Sequence, residues 1–193
     1  MKKLFCVSVC CFSVLLSVHA QEGMWMLSQI EQLNLPEKGL MIPVSDIYSP
    51  GKPCLATAIL ELGGGSASFV SSEGLVVTNH HVAYTALQRA SSVTSNYLAD
   101  GFLAKDRSAE IQAPGYQAKI MTDMKDVTAD ILSEIKGIAD PVEKDKKVNA
   151  VIAKLTEAAT PEGGDREAEI VPMYNGKQYI MYTYKVFRDI RIV

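Results

Sequence analysis

Apolar and polar positions change their pattern several times along this 193-residue chain. Leu4 to Val18 is an almost unbroken apolar run behind Lys2 and Lys3, and Val18-His19-Ala20 has the form that a signal peptidase reads. The run is short for a bilayer span, and no second apolar stretch of that length follows. Residues 1–20 are therefore expected to be a removed signal peptide. Gln21, not cysteine, follows the cleavage-like site, which argues against a lipid anchor.

Beyond that leader, Glu22 to Leu27 is unusually apolar for a chain start and carries Trp25, the single tryptophan. Trp25 reads as a docking anchor rather than a ligand platform. Leu27, Ile30 and Leu33 fit a short helix that Pro36 and Gly39 end, and Pro43, Pro50, Gly51 and Pro53 punctuate a loop. From Cys54 to Val82 the pattern predicts β structure. Ala56–Leu62 is expected as a strand, Gly63-Gly64-Gly65 as a bend, and Ser66–Val70 as a second strand. Ser71-Ser72-Glu73-Gly74 is then a turn, and the β-branched run Leu75–Thr78 returns antiparallel.

After His81 the pattern becomes helical, with Ala83, Leu87 and Ala90 on one face and Tyr84 beside them. Tyr116–Met121 fits another strand. Val127, Ile131, Ile135 and Ile138 mark an amphipathic helix that closes near Gly137. Asp140-Pro141-Val142-Glu143 opens the next helix, with Asp140 as its cap, Pro141 in the first turn and Glu143 completing a capping box. Its buried stripe is Val148, Val151, Ile152 and Leu155, its lysines and glutamates form a solvated face, and Pro161 with Gly163-Gly164 ends it. Asn175-Gly176 predicts a two-residue hairpin turn between 170–174 and 177–186. Val186–Val193 then runs on without a turn or cap, so the chain reads as cut rather than finished.

Composition changes little in this picture. At 48% hydrophobic and 21% charged residues, the chain is globular rather than disordered, collagenous or disulfide-dense. A formal charge of −3 leaves no electrostatic footprint for nucleic acid. Loss of residues 1–20 removes two lysines and no acid, moving the charge to −5. It also removes Cys6, Cys10, Cys11 and His19, leaving Cys54 without an internal partner and His80 and His81 as the only imidazoles.

Candidate chemistry is thereby confined to one place. His80 and His81 at the end of a strand point to opposite faces, which argues against a shared metal ion, and Cys54 alone leaves a zinc site short of ligands. The glycine triplet has no following Gly-Lys-Ser/Thr and precedes a strand, so it is not a phosphate loop. A general base needs only one imidazole, delivered here by a hairpin strand and followed by a helical turn. From the local pattern alone, a hydrogen-bonded structural histidine stands equally open.

The string Thr78-Asn79-His80-His81-Val82 is similar to that around the base histidine of chymotrypsin-fold proteases, Deg-type enzymes among them, and puts the base at His81. A longer set of residues narrows the likeness. Glu22-Gly23-Met24-Trp25-Met26, Gly63-Gly64-Gly65, Glu73-Gly74-Leu75, Thr78–His81, Tyr84, Gln88, Tyr97-Leu98, Asp100-Gly101-Phe102 and Phe187–Arg191 resemble the bacterial dipeptidyl-peptidase family of serine peptidases. The Trp25 opening and the helices at 127–159 weaken a Deg-like assignment.

The resemblance implies a mostly β fold with helices. It would be the first part of a chymotrypsin-like double β-barrel peptidase, with a helical pair near 126–160. Residues 21–193 would be the incomplete, histidine-bearing N-terminal part of the catalytic domain. It implies an exported serine dipeptidyl-peptidase that removes dipeptides from the free N-termini of oligopeptides, with His81 as general base and no cofactor. It further implies a homodimer in the periplasm or at the surface of a Gram-negative bacterium, with no membrane span once the leader is gone.

The family pattern has cysteines where Ser66 and Val82 stand here, so one bridge between neighbouring strands is missing. The catalytic aspartate and serine belong to stretches downstream of a segment like Val186–Val193. Asp100, Asp106 and Asp189 read as surface or turn carboxylates, and Gly65-Ser66-Ala67-Ser68 is not a nucleophile string. This chain is therefore expected to be inactive alone. The alternative is a non-catalytic exported β-barrel, derived from such an enzyme, that binds peptides or a partner.

Overall fold

The structure, a computed structural model, describes residues 23, 25–160 and 163–193. The expected leader, its three cysteines and His19 lie outside the described residues, as do Met24 and Pro161. The chain divides into two compact units, the first ending at Val44 and the second spanning Ser45–Val193.

In the first unit, the apolar spacing Leu27, Ile30, Leu33 repeats every three residues, and the chain answers with 3₁₀ helices rather than an α-helix. These span Leu27–Leu33 and Leu35–Lys38, separated by Asn34 at positive φ and closed by Gly39. The Trp25 indole folds back over Gly23 and is 49% exposed.

The second unit is built on β1 (Ile59–Leu62), β2 (Gly65–Phe69), β3 (Val76–Thr78), β4 (Ile111–Gln112), β5 (Ala118–Asp126), β6 (Arg166–Met173), β7 (Gln178–Phe187) and β8 (Arg191–Ile192). Among the described residues, six of them form one antiparallel sheet in the order β3-β2-β1-β5-β7-β6, and β4 pairs with β8 separately. Apart from a single turn at Val44–Ile47, the α-helices among the described residues are α1 (His80–Ala90), α2 (Tyr97–Asp100), α3 (Thr128–Glu134) and α4 (Pro141–Ala159). This is the mostly β fold with a helical pair that the sequence predicts.

Residues paired across an antiparallel sheet share a face. Leu60 opposite Ala67 and Leu62 opposite Ala118 therefore line one face, where they join Val82 of α1 in a buried cluster. Farther along the sheet, Ile170 and Tyr179 meet Val127 and Ile131 in a second cluster, with Val148, Val151, Ile152 and Leu155 of α4 packed on it. Ile131 is fully buried and Ile135 nearly so. Fixing both helices to one face in this way supplies far more than intrinsic propensity could for a seven-residue α3. The Asp140 carboxylate accepts from the Glu143 N–H at 2.9 Å, as a cap should. Glu143 does not return the bond; its side chain pairs with Lys146.

On the other face, Glu61 lies opposite Lys119, and Lys119 bonds Glu167 at 2.8 Å, which also receives Arg188 at 3.3 Å. Glu167 raises the Lys119 ammonium pKa above its ordinary range. Tyr182 and Tyr184 stack on this face, and burial pushes both phenols up. β1 meets β5 through Glu61 and Leu62, whereas β5 and β7 run together from Ala118–Phe187 to Asp126–Ile180, with a register shift after Met121. The Thr122 hydroxyl spans that irregularity by donating to the Thr183 carbonyl at 3.1 Å.

Three further sequence expectations change here. The strand expected from Ala56 begins at Ile59, because Leu55–Ala58 closes as a 3₁₀ turn. The hairpin at Asn175-Gly176 has a four-residue connection, with Tyr174, Asn175 and Gly176 all at positive φ. The most buried residues of α1 are Val82 and Ala86, one position away from the expected stripe.

Candidate active site

The glycine triplet is used for three separate purposes. Gly63 and Gly64 both adopt positive φ, which a two-residue primed hairpin turn between β1 and β2 requires. Gly63 also lies against the Tyr116 ring, where a Cβ would come 2.8 Å from Cε1. Gly65 makes room for Val82, whose methyl groups occupy the space of the missing side chain. The β2–β3 turn has Gly74 at φ +88, and the Ser71 hydroxyl accepts from the Glu73 and Leu75 N–H groups. An exposed ion pair from Arg107 to Glu73, at 2.6 Å, reaches this turn.

That hairpin delivers the chain to the histidines. Asn79 is extended, and its carbonyl accepts from the Val82 N–H at 3.0 Å and the Ala83 N–H at 3.4 Å, turning the chain directly into α1. His80 and His81 are thus the first two residues of a helix, not the last two of a strand. Consecutive helical side chains diverge by about 100°, so both imidazoles lie on the exposed side of the first turn. The opposite-face reading is corrected accordingly.

The two imidazoles differ in surroundings. The His80 ring meets Tyr84 edge to face, with centroids 5.9 Å apart. His81 is exposed, and among the described residues neither a hydrogen bond nor an ion pair engages its imidazole. Its backbone is firmly held, because the next residue is 9% exposed in the first buried cluster. A fixed main chain carrying an open imidazole can accept a proton from a group brought to it. The carboxylate that would orient its other nitrogen is not supplied by the three candidates weighed from sequence. Asp106 caps a 3₁₀ turn through Ser108 and Ala109, and those bonds lower its pKa. Asp189 forms a two-pronged pair with Arg191, at 3.0 Å on each prong, which holds its carboxyl below the ordinary range. Asp100 is exposed at the end of α2.

Ser66 and Ser68 lie on β2, and the Ser68 hydroxyl donates to the Phe69 carbonyl. Among the described residues no three histidine, cysteine or acidic side chains gather as a metal site, and no helix is long and apolar enough to cross a membrane. A groove of about 540 Å³ lies between the helical pair and the β6–β7 hairpin, lined by Leu132, Val148, Pro172 and Tyr179, and includes neither histidine. Tyr116, which no local sequence signal marks, donates its hydroxyl to the Val82 carbonyl at 2.7 Å.

The sequence profile of the family described as Peptidase S46 matches residues 20–193. The chain belongs to the peptidase S46 family. Dipeptidyl-peptidase 7 of Porphyromonas gingivalis is 36% identical over 180 residues, which cover 90% of this chain and 25% of that protein. The Asp/Glu-specific dipeptidyl-peptidase of Capnocytophaga gingivalis is 35% identical over 177 residues, with the same two coverages. The crystal structure of Porphyromonas endodontalis DPP11 in complex with substrate superposes with a TM-score of 0.79 at 33% identity, covering 90% of this chain and 26% of that one. The chain thus spans about a quarter of the length of the curated relatives it matches. At this similarity the S46 fold carries over, and the sheet with its histidine helix is a portion of that chymotrypsin-like architecture.

Proposed function

We propose that this chain contributes the general base, His81, to an exported serine dipeptidyl-peptidase that removes dipeptides from the free N-termini of oligopeptides. The observation that carries this is the placement of His81. A β-hairpin ends in a helix whose first turn is anchored by buried Val82, and the imidazole beside it faces outward in a chain of the S46 family. Relatives named as dipeptidyl-peptidases supply the reaction class.

In the complete enzyme His81 would take the proton of the serine hydroxyl as that oxygen attacks the scissile carbonyl, then return it to the leaving amine. His80, already turned toward Tyr84, would not share this work. An imidazole without nucleophile and oxyanion hole gives little acceleration, because these groups act as a unit. The 193-residue chain by itself is therefore expected to be inactive.

The experiment is hydrolysis of dipeptidyl-coumarylamides by the full-length protein that carries this chain. Replacing His81 by Ala should reduce kcat by about a thousandfold or more, as loss of a triad member does, whereas His80→Gln should retain most activity. Equal loss in both variants would remove His81 from the role. A non-catalytic peptide-binding barrel would instead bind oligopeptides and release no dye.

A further inference from the structure

We infer that Tyr116 is a positioning residue for His81, acting through the main chain of Val82. This rests on the proposed role of His81 and extends it to a residue that no likeness assigns. Val82 is restrained in three directions. Its N–H donates to Asn79 O at 3.0 Å, its side chain fills the space over Gly65, and its carbonyl receives the Tyr116 hydroxyl at 2.7 Å. The first two restraints arise within the hairpin and helix. The third comes from a separate segment, two residues before β5, whose ring packs in the same buried cluster.

A carbonyl oxygen has two lone pairs, so Val82 can serve its helix and Tyr116 together. The phenol is itself aimed. Its ring rests against Gly63, the Tyr116 main-chain N–H donates to Ala113 O at 3.1 Å, and the Ala113 N–H donates to Ile190 O at 2.8 Å. Arg89, in the last turn of α1, donates to Pro114 O at 3.3 Å. The turn 113–116 therefore grips α1 near both ends. Rotation or sliding of the first turn would swing the exposed imidazole, and displacements of this kind near 1 Å cost about a hundredfold in rate when reacting groups lose alignment. The hydroxyl, rather than the ring, carries the positioning role, because the ring serves the buried cluster whether or not it donates.

The test uses the full-length protein with Tyr116→Phe, His81→Ala and Ile131→Val, reading kcat, KM and melting temperature on a dipeptidyl-coumarylamide. Tyr116→Phe keeps the ring and is expected to lower kcat about tenfold with KM within about twofold, as loss of alignment without loss of binding does. Ile131→Val loosens the distant cluster and should leave kcat unchanged at a similar drop in melting temperature. If kcat falls equally in Tyr116→Phe and Ile131→Val, or stays within about twofold in Tyr116→Phe while His81→Ala is dead, the positioning role is overturned. If His81→Ala remains active, the role of His81 itself fails, and this inference fails with it.

Discussion

Val82 stands where a side chain at position 65 would have to go: a Cβ built on Gly65 collides with Val82 Cγ2 and comes within 3.2 Å of Cγ1. The contact joins the first residue of β2 to the first turn of α1, so hairpin and helix are locked by the absence of a methyl group. Val82 is one of the two positions where the resemblance implies cysteine. Here the position works by packing alone.

Gly65→Ala should accordingly destabilise the protein by about 1–3 kcal/mol, the usual cost of overpacking. Val82→Ala should cost stability alone yet relieve much of the damage when combined with Gly65→Ala. Urea midpoints of the two single variants and the double variant measure this coupling. Strict additivity would show that the collision is absorbed elsewhere.

Ile131 has no exposure and sits at the junction of α3 with β6 and β7. Ile131→Ala should lose about 2–5 kcal/mol and Ile131→Val about 0.5–1.5 kcal/mol, following the volume of the cavity left. Denaturant titration checks the ratio. Nearly equal losses would mean that the helical pair collapses into the gap.

Asp126 joins β5 to α3 and β7. Bonds from Thr128 and from the Gln178 amide, the latter at 2.8 Å, hold its carboxyl below the ordinary aspartate value of 3.8. The folded value is depressed, so this stabilisation is present above 3.8 and is lost as pH falls through the lower folded value. The carboxylate lies close to solvent, and the effect should be small. The stability gap between the protein and Asp126→Asn should hold steady near neutrality and shrink in acid. A gap of the same size at every pH would rule out the titration.

Cys54 is half-buried and has no disulfide partner among the described residues. Unfolded without reductant, residues 21–193 produced alone should take up one maleimide per chain by mass spectrometry. Complete resistance would reveal an unsuspected bridge.

Much of the fold was legible because the signals were local. Asp140-Pro141 and the glycine at 74 each fix a few neighbouring dihedrals, and the structure follows them. Leu55–Ala58 misled because Thr57 bonds the Cys54 carbonyl at 2.7 Å, letting a side chain compete with the strand ladder. The pairing of Ile111 with Ile192 joins residues far apart in sequence through two-residue strands, too short for any periodicity to reveal. His81 was legible as a candidate because few histidines exist to choose from. Tyr116 was not, since a phenol donating to a distant carbonyl leaves no mark on its own segment.

The narrow junction of β1 with β5 has a mechanical consequence. Glu61–Lys119 and Leu62–Ala118 form a short seam between the histidine hairpin and the broad β5–β7–β6 ribbon. Under load, or during sub-global opening, a sheet parts where its ladder is shortest. Tyr116 lies on the far bank of that seam, so separation would draw its hydroxyl off the Val82 carbonyl as the hydrogen bonds break. Amides of β1 and β2 would then exchange together as one unit, ahead of those in β7, and alignment of His81 would be lost with the seam, not with the helix that carries it.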